Sequence, residues 1–257
     1  MKRRQLFRYA GASFLSVLGA GLTSRWHAAQ AQASDTVTIQ SLGHTCFRFS
    51  GSGRRILVNP FRPVGCTAGY SAPQGEADLV MISSRLLDEG VVEGLPGNPR
   101  VLSEPGIYEF TGMKVEGIES NHDREGGRRF GKNVMWRWNQ GGLIILHMGG
   151  AAEPVTIEQQ ILLGRPDVVL IPVGGGPKAY TASEAVSAIN TLNPRIVIPT
   201  QYLTEAADVE TCDINALDEF LTLMEGTPVR QSTGSITLSR SDLPETGRKI
   251  EVVGYPF

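Results

Sequence analysis

Cysteine is scarce in this chain of 257 residues. Cys46, Cys66 and Cys212 are too few and too scattered for a disulfide framework or a zinc ribbon. The odd count allows at most one bridge and leaves a thiol over, and Cys46, inside an apolar strand pattern, reads as a buried and inert thiol. No apolar run is long enough to span a bilayer stably, because the best stretch, residues 10–22, is short and interrupted by glycine and serine. There is no Gly-x-Ser-x-Gly elbow around Ser83 and Ser84, and no P-loop spacing in the glycine run at 174–176. No internal repeat or low-complexity segment stands out.

The N-terminus carries an address. "MKRRQLF" places Lys2, Arg3 and Arg4 ahead of the modest apolar stretch, and "AAQAQA" offers a cleavage point after Ala33. The paired arginines followed by Gln5, Leu6 and Phe7 resemble a twin-arginine signal, with Arg25 a charge that the ordinary secretion route tolerates poorly. Residues 1–33 are therefore expected to be an export signal and 34–257 the mature domain, in the periplasm or, in a photosynthetic bacterium, the thylakoid lumen. The alternative is a membrane-tethered N-terminal helix; after signal removal no stable membrane insertion is expected. Residues 1–33 contain five of the 24 basic residues and none of the 26 acidic ones, so the mature part holds 19 against 26, a net charge of −7. A net-acidic body argues against nucleic acid as a partner.

Past the signal, the chain reads as strands first and helices later. "TVTIQSLGHTCFRFSGSGRRILVNPF" gives short strands around a "GSG" turn, and the wholly apolar "ADLVMIS" is a strand buried on both faces. "MKVEGIES", "NVMWRWNQGGLIILHMGG" and "ITLSR" continue the strand signals, with "NQGG" as a hairpin turn. "TIEQQILLG" has helical spacing closed by Gly164, and "TASEAVSAINTLNP" opens on a Thr181 cap with Glu184 three residues on. "INALDEFLTLMEG" predicts a third helix. Strand-like "DVVLIPVGG" and "RIVIPTQY" follow the first two helices, which together describes a layered α/β domain.

"IQSLGHTCFRFSGSGRRILVNPF", "ADLVMISS", "ESNHDREGGRRFGKN", "GGLIILHMGG", "RPDVVLIPVGGG" and "LNPRIVIPTQY" occur in an order that resembles the metallo-β-lactamase superfamily, in its ascorbate-6-phosphate lactonase-like branch. The resemblance runs from about Val37 to Tyr202. It implies a four-layer αββα sandwich with a metal site along one edge of two sheets. Active members carry a His-x-His-x-Asp-His run, a later lone histidine, an aspartate after His-x-Gly and a histidine after Ile-Pro. Those groups hold two Zn²⁺ ions whose shared water is acidified towards hydroxide.

Against that pattern Ser84 and Leu86 replace the first two histidines, Asp88 matches the aspartate, and Glu89 replaces the third histidine. His122 matches the lone histidine, Gly150 replaces the later aspartate and Gln201 the last histidine. Leu86 offers no lone pair, and a neutral amide binds zinc far more weakly than imidazole. The stretch "ISSRLLDEG", where the family clusters its histidines, has none.

Two readings follow. In the favoured one the dinuclear site is largely lost, no cofactor is held, and the chain binds a small anionic ligand or a protein partner without catalysis. In the alternative, Asp88, Glu89 and His122 hold one Zn or Mn ion, with Gln201 a weak fourth ligand, and Asp88 and His122 serve a hydrolase acting on a small ester, lactone or phosphorylated compound. Asp88 and Glu89 also suit a solvated loop or the start of a helix. His44 and His147 read as hydrogen-bonded structural histidines near the site, His44 standing among the ligand-facing residues. The basic loop with Arg124 and Arg128, and the strand end with Gly175 and Lys178, are expected either to hold an anion or to be plain surface loops.

Overall fold

The structure is a computed structural model that describes residues 35–257. The export signal read in residues 1–33 lies outside the described residues. In chain order the strands are β1 (Thr36–Gly43), β2 (Cys46–Gly51), β3 (Arg54–Val58), β4 (Leu79–Met81), β5 (Arg100–Leu102), β6 (Gly106–Phe110), β7 (Met113–Asn121), β8 (Lys132–Gln140) and β9 (Leu143–His147). Then come α1 (Ile157–Leu163), β10 (Val168–Pro172), α2 (Ala182–Leu192), β11 (Ile196–Thr200), α3 (Asp218–Leu223), β12 (Val229–Thr233), β13 (Ser235–Ser239) and β14 (Lys249–Gly254).

These strands make two mixed sheets. One has the order β13-β1-β2-β3-β4-β5, the other β12-β14-β11-β10-β9-β8-β7-β6. Strands β6 to β9 form an antiparallel meander, and β9, β10 and β11 run parallel. The tight turns are where the glycines predict them: Gly141 and Gly142 join β8 to β9 at φ of 60° and 74°, and Ser52 and Gly53 join β2 to β3 at 51° and 71°. Positive φ at both central residues matches the right-handed strand twist, which favours glycine there.

Alternation decides which side chains meet. Val37 and Ile39 of β1, Phe49 of β2 and Ile56 of β3 face Val134, Trp136 and Trp138 of β8 across the sandwich, in one continuous core. Phe49 meets Trp138 edge-to-face, with ring centroids 4.9 Å apart and planes at 88°. Such a pair contributes about 1 kcal/mol beyond its buried area. Met135, pointing the other way, joins Val169, Ile171 and Val197 in a second core under the helices, where Leu163, Ala185, Ile189 and Phe220 cover the sheet.

Helices α1 and α2 begin with the capping boxes expected of Thr156–Gln159 and Thr181–Glu184. The third helix is shorter than "INALDEFLTLMEG" predicts, because Asn215 is drawn out of it. Its N–H donates to Gly174 O at 2.6 Å and its carbonyl accepts from Leu203 N at 2.8 Å. The layer over the other sheet is made of ordered loops, in which Phe61, Tyr70 and Ala206 pack on Cys46, Leu57 and Val80. Prolines 60, 63 and 73 with Gly65, Gly69 and Gly75 keep α-helix out of that segment and leave only a 3-10 turn at Gly65–Thr67. A disulfide between Cys66 and Cys212, 146 residues apart, ties this cover to the loop after β11, while Cys46 stays buried and free. Among the described residues no helix is long and apolar enough to cross a membrane.

Candidate functional site

Five segments converge at one end of the sandwich: the β1–β2 turn with His44, the loop after β4 with Ser83 to Glu89, the loop after β7 with His122, the end of β9, and the loop after β11 with Gln201. Two hydrogen bonds lock the sheets together there. Trp136 Nε1 donates to Ile82 O at 3.2 Å, and Val134 N to Ser83 O at 2.8 Å.

The centre is a contact between Glu89 and His122, both buried, in which His122 Nε2 bonds Glu89 Oε1. Ser84 Oγ donates to the same carboxylate oxygen at 2.7 Å, and Asn59 Nδ2 donates to Oε2 at 3.2 Å. Burial alone would raise the carboxyl of Glu89. The charge of His122 and the hydrogen bonds from His122 and Ser84 outweigh it and hold the group down at about 2. His122 shows the complement: burial pushes it down, the charge and hydrogen bond of Glu89 prevail, and its pKa ends above the ordinary value. The two therefore form a buried ion pair with three donors on the carboxylate.

Gly150 makes room for that pair. A Cβ at position 150 would lie 2.3 Å from His122 Cε1 and 2.6 Å from Nε2, so the imidazole sits where a side chain at 150 would begin. The glycine is held in place through its N–H, which donates to Asn133 Oδ1 at 2.9 Å.

Asp88 does not join Glu89 and His122; its carboxylate pairs with the Lys178 ammonium, which also lies 5.9 Å from the Phe130 ring centroid. Among the described residues, no three His, Cys, Asp or Glu side chains are grouped so that they could hold a metal ion, and of the three residues of the single-ion expectation Asp88 lies on Lys178 while Glu89 and His122 lie together. His147 bridges the sheets: Nδ1 accepts from Gly149 N at 3.1 Å, so Nε2 carries the proton and donates to Thr45 O at 3.0 Å. Its burial lowers the pKa to about 4, keeping the ring neutral. His44 is also lowered, chiefly by burial against the opposing pull of Asp88 and Glu89.

The basic loop is organised by an anion of its own. Asp123 Oδ1 accepts from Glu125 N and Gly127 N at 2.8 and 2.9 Å, and Oδ2 from Arg129 N and Phe130 N at 3.0 and 2.8 Å. Burial works to raise this carboxyl, yet those four backbone donors hold it at about 2. Sequence reasoning missed Asp123; its signal was an aspartate followed two residues on by Glu-Gly-Gly, an Asx-type turn pattern. Arg124, read either as holding an anionic guest or as part of a plain surface loop, forks onto Glu184 at 2.9 and 2.6 Å and donates to Gly176 O and Ala179 O, both at 2.8 Å. Arg128 donates to Glu125 O at 3.0 Å within its own loop. The glycine run also approaches protein backbone rather than open space. Gly175 N donates to Tyr180 O at 2.8 Å, and a Cβ on Gly174 would lie 2.2 Å from Gln201 O. Asn59 and Ser84 as partners of Glu89, and Lys178 as the partner of Asp88, were likewise not foreseen, since each depends on contacts distant in sequence.

A family profile described as "Beta-lactamase superfamily domain" matches residues 38–201. A UPF0173 metal-dependent hydrolase of Thermococcus onnurineus is 28% identical over 197 residues, covering 65% of this chain and 85% of the relative. A UPF0173 metal-dependent hydrolase of Methanoculleus marisnigri is 28% identical over 236 residues, covering 82% and 95%. Among solved structures, a metallo-β-lactamase superfamily protein of Thermotoga maritima superposes with a TM-score of 0.69 at 27% identity, covering 86% of this chain and all of the other. Igni18 of Ignicoccus hospitalis shares the fold at a TM-score of 0.59 and 17% identity, over 79% of this chain and 99% of the other.

Proposed function

The chain belongs to the β-lactamase superfamily, and from that premise we propose that it is a non-catalytic, exported member that binds a small ligand where its relatives hold metal. The observation that carries this reading is the buried Glu89–His122 ion pair lying over Gly150. The residues present do not fit a pair of zinc ions. Leu86 has no donor atom, Gly150 has no carboxylate, Asp88 already neutralises Lys178, and the carboxylate and imidazole that remain neutralise each other. Two internal cations, the imidazolium of His122 and the ammonium of Lys178, balance the two acids. The sandwich does not depend on a metal for its stability, because its cores lie between and behind the sheets.

Export is supported by the paired Arg3 and Arg4 and by the Cys66–Cys212 bridge, since stable disulfides belong to oxidising compartments. A variant with both arginines changed to lysine should remain inside the cell; undiminished export would refute the twin-arginine assignment.

Metal analysis tests the main proposal. Protein purified without chelator and then titrated with Zn²⁺ is expected to take up well under one tightly held ion per chain. Uptake of one ion or two, abolished by His122→Ala, would favour the second reading, a metal-dependent hydrolase of a small ester, lactone or phosphorylated compound. That reading draws its support from the relatives named metal-dependent hydrolases.

A further inference from the structure

At His44, which feels the charges of Glu89 and His122, lies a small cavity of about 110 Å³, bordered by His44, Tyr70, Gln201, Tyr255 and Phe257 and not by the pair itself. We propose that this cavity binds an uncharged, single-ring aromatic molecule bearing a hydroxyl, a ligand of the phenol class. The inference rests on the non-catalytic reading above and adds the chemistry of the ligand to it.

Three independent features point to a guest. The first is polar: His44 Nε2 and Gln201 Oε1 are buried and have no hydrogen-bond partner, in residues that both line the cavity. Buried polar atoms in native folds nearly always find partners, so two orphans at one place mark a missing group. The second is conformational. His44 and Gln201 have φ of 55° and 51°, left-handed values at two non-glycine residues, and they meet through Gln201 N donating to His44 O at 3.4 Å. Glycine would adopt that backbone freely, so keeping side chains there is a strain that clusters at binding sites. The third is aromatic. Tyr255 packs edge-on against Tyr70 at 4.8 Å and against Phe257 at 5.1 Å between centroids, forming a continuous π wall. Gly43 admits Tyr70 to that wall, since a Cβ there would lie 2.6 Å from the ring.

Size, charge and hydrogen bonding then restrict the guest. A dry cavity of about 150 Å³ takes benzene, so about 110 Å³ with one open side suits a single ring. The charged groups near His44 are Asp88, Glu89, Lys178 and His122, and they are paired two by two. An anion entering here would find no free counter-charge and would meet the acid Glu205 near Tyr70, which favours a neutral molecule over the anion expected from sequence. A phenolic hydroxyl both donates and accepts, so it satisfies the Gln201 amide in either orientation once that side chain, whose Oε1 is closed off from the cavity here, turns towards the guest.

Phenol and toluene, equal in shape and differing in the hydroxyl, provide the test. Titrated into the full chain and followed by NMR, phenol should bind saturably, about tenfold tighter than toluene, the effect of one buried hydrogen bond. Gln201→Leu should bring the two within about twofold of each other. Because that substitution touches a left-handed position, Phe257→Ala, at the exposed rim, serves as the second variant and should weaken both ligands by a similar factor. Absence of saturable binding, equal affinities in the unmodified protein, or binding indifferent to Phe257→Ala would overturn the proposal. Zinc titration of the same sample separates the two failures: stoichiometric uptake sinks the non-catalytic reading, whereas no uptake together with no phenol binding sinks only this inference.

Discussion

Gly150 and His122 compete for one volume: the imidazole Cε1 lies 2.3 Å from the point where a side chain at 150 would start. The identity of residue 150 thus decides where His122 sits. Gly150→Asp is expected to expel the ring from Glu89 and to destabilise the fold by about 3–5 kcal/mol, the scale for breaking a buried pair and leaving its partner uncompensated. Urea denaturation checks this, and a variant as stable as the parent would show that the ring can settle elsewhere at no cost.

The same pair lends itself to a double-mutant cycle. His122→Ala leaves Glu89 charged and buried with only Ser84 and Asn59 as partners, and Glu89→Ala leaves an unpaired imidazole. Each single change should lose about 3–5 kcal/mol, and the double variant markedly less than the sum. Simple additivity would mean that the two groups are not coupled.

Stability should depend on pH with a maximum near 6.5. On the alkaline side, His122 has a folded pKa raised above the ordinary 6.5, so its contribution is complete below 6.5 and fades as the pH climbs through the raised value. On the acid side several groups act, His44 and Asp123 together with His147 and Glu89. His147 is lowered from 6.5 to about 4, so folding excludes a proton there and stability falls between those values. Glu89, lowered from 4.5 to about 2, gives up its contribution below 4.5. Denaturation midpoints from pH 3 to 9 test the shape, and a curve that stays level from 6.5 to 9 would contradict a protonated His122.

Reducing the Cys66–Cys212 bridge frees a span of 146 residues in the unfolded chain. Chain entropy then predicts a loss of about 4–5 kcal/mol, the upper end of what disulfides contribute. Cys66→Ser and Cys212→Ser, singly and together, should match the reduced protein in guanidinium melts. Cys46, buried and with its thiol pKa driven up by that burial, should stay unreactive to alkylation until the chain unfolds.

Much of the architecture was readable along the chain because it depends on local periodicity. The "NQGG" turn, the capping boxes at Thr156 and Thr181, and the fully apolar strands around Val80, Leu170 and Ile198 each follow from a few adjacent residues. The third helix misled because its early residues look amphipathic, while Asn215 is engaged by Gly174 and Leu203, which no local pattern reveals. Arg124 stays open in the sequence for the opposite reason. A cationic loop with glycines reads the same whether it awaits an anion or already holds Asp123 and Glu184, and only the contacts separate the two.

From its sequence alone this protein was destined for a layered sandwich of two sheets, since alternation and turn chemistry act over a few residues and leave few other ways to bury the apolar faces. The positions that depart from the zinc-ligand pattern, Ser84, Leu86, Glu89, Gly150 and Gln201, were equally visible there. What took their place was decided in three dimensions. Glu89 reaches His122 across 33 residues and Asp88 reaches Lys178 across 90, and charges buried that far apart in the chain choose partners by proximity and desolvation rather than by spacing.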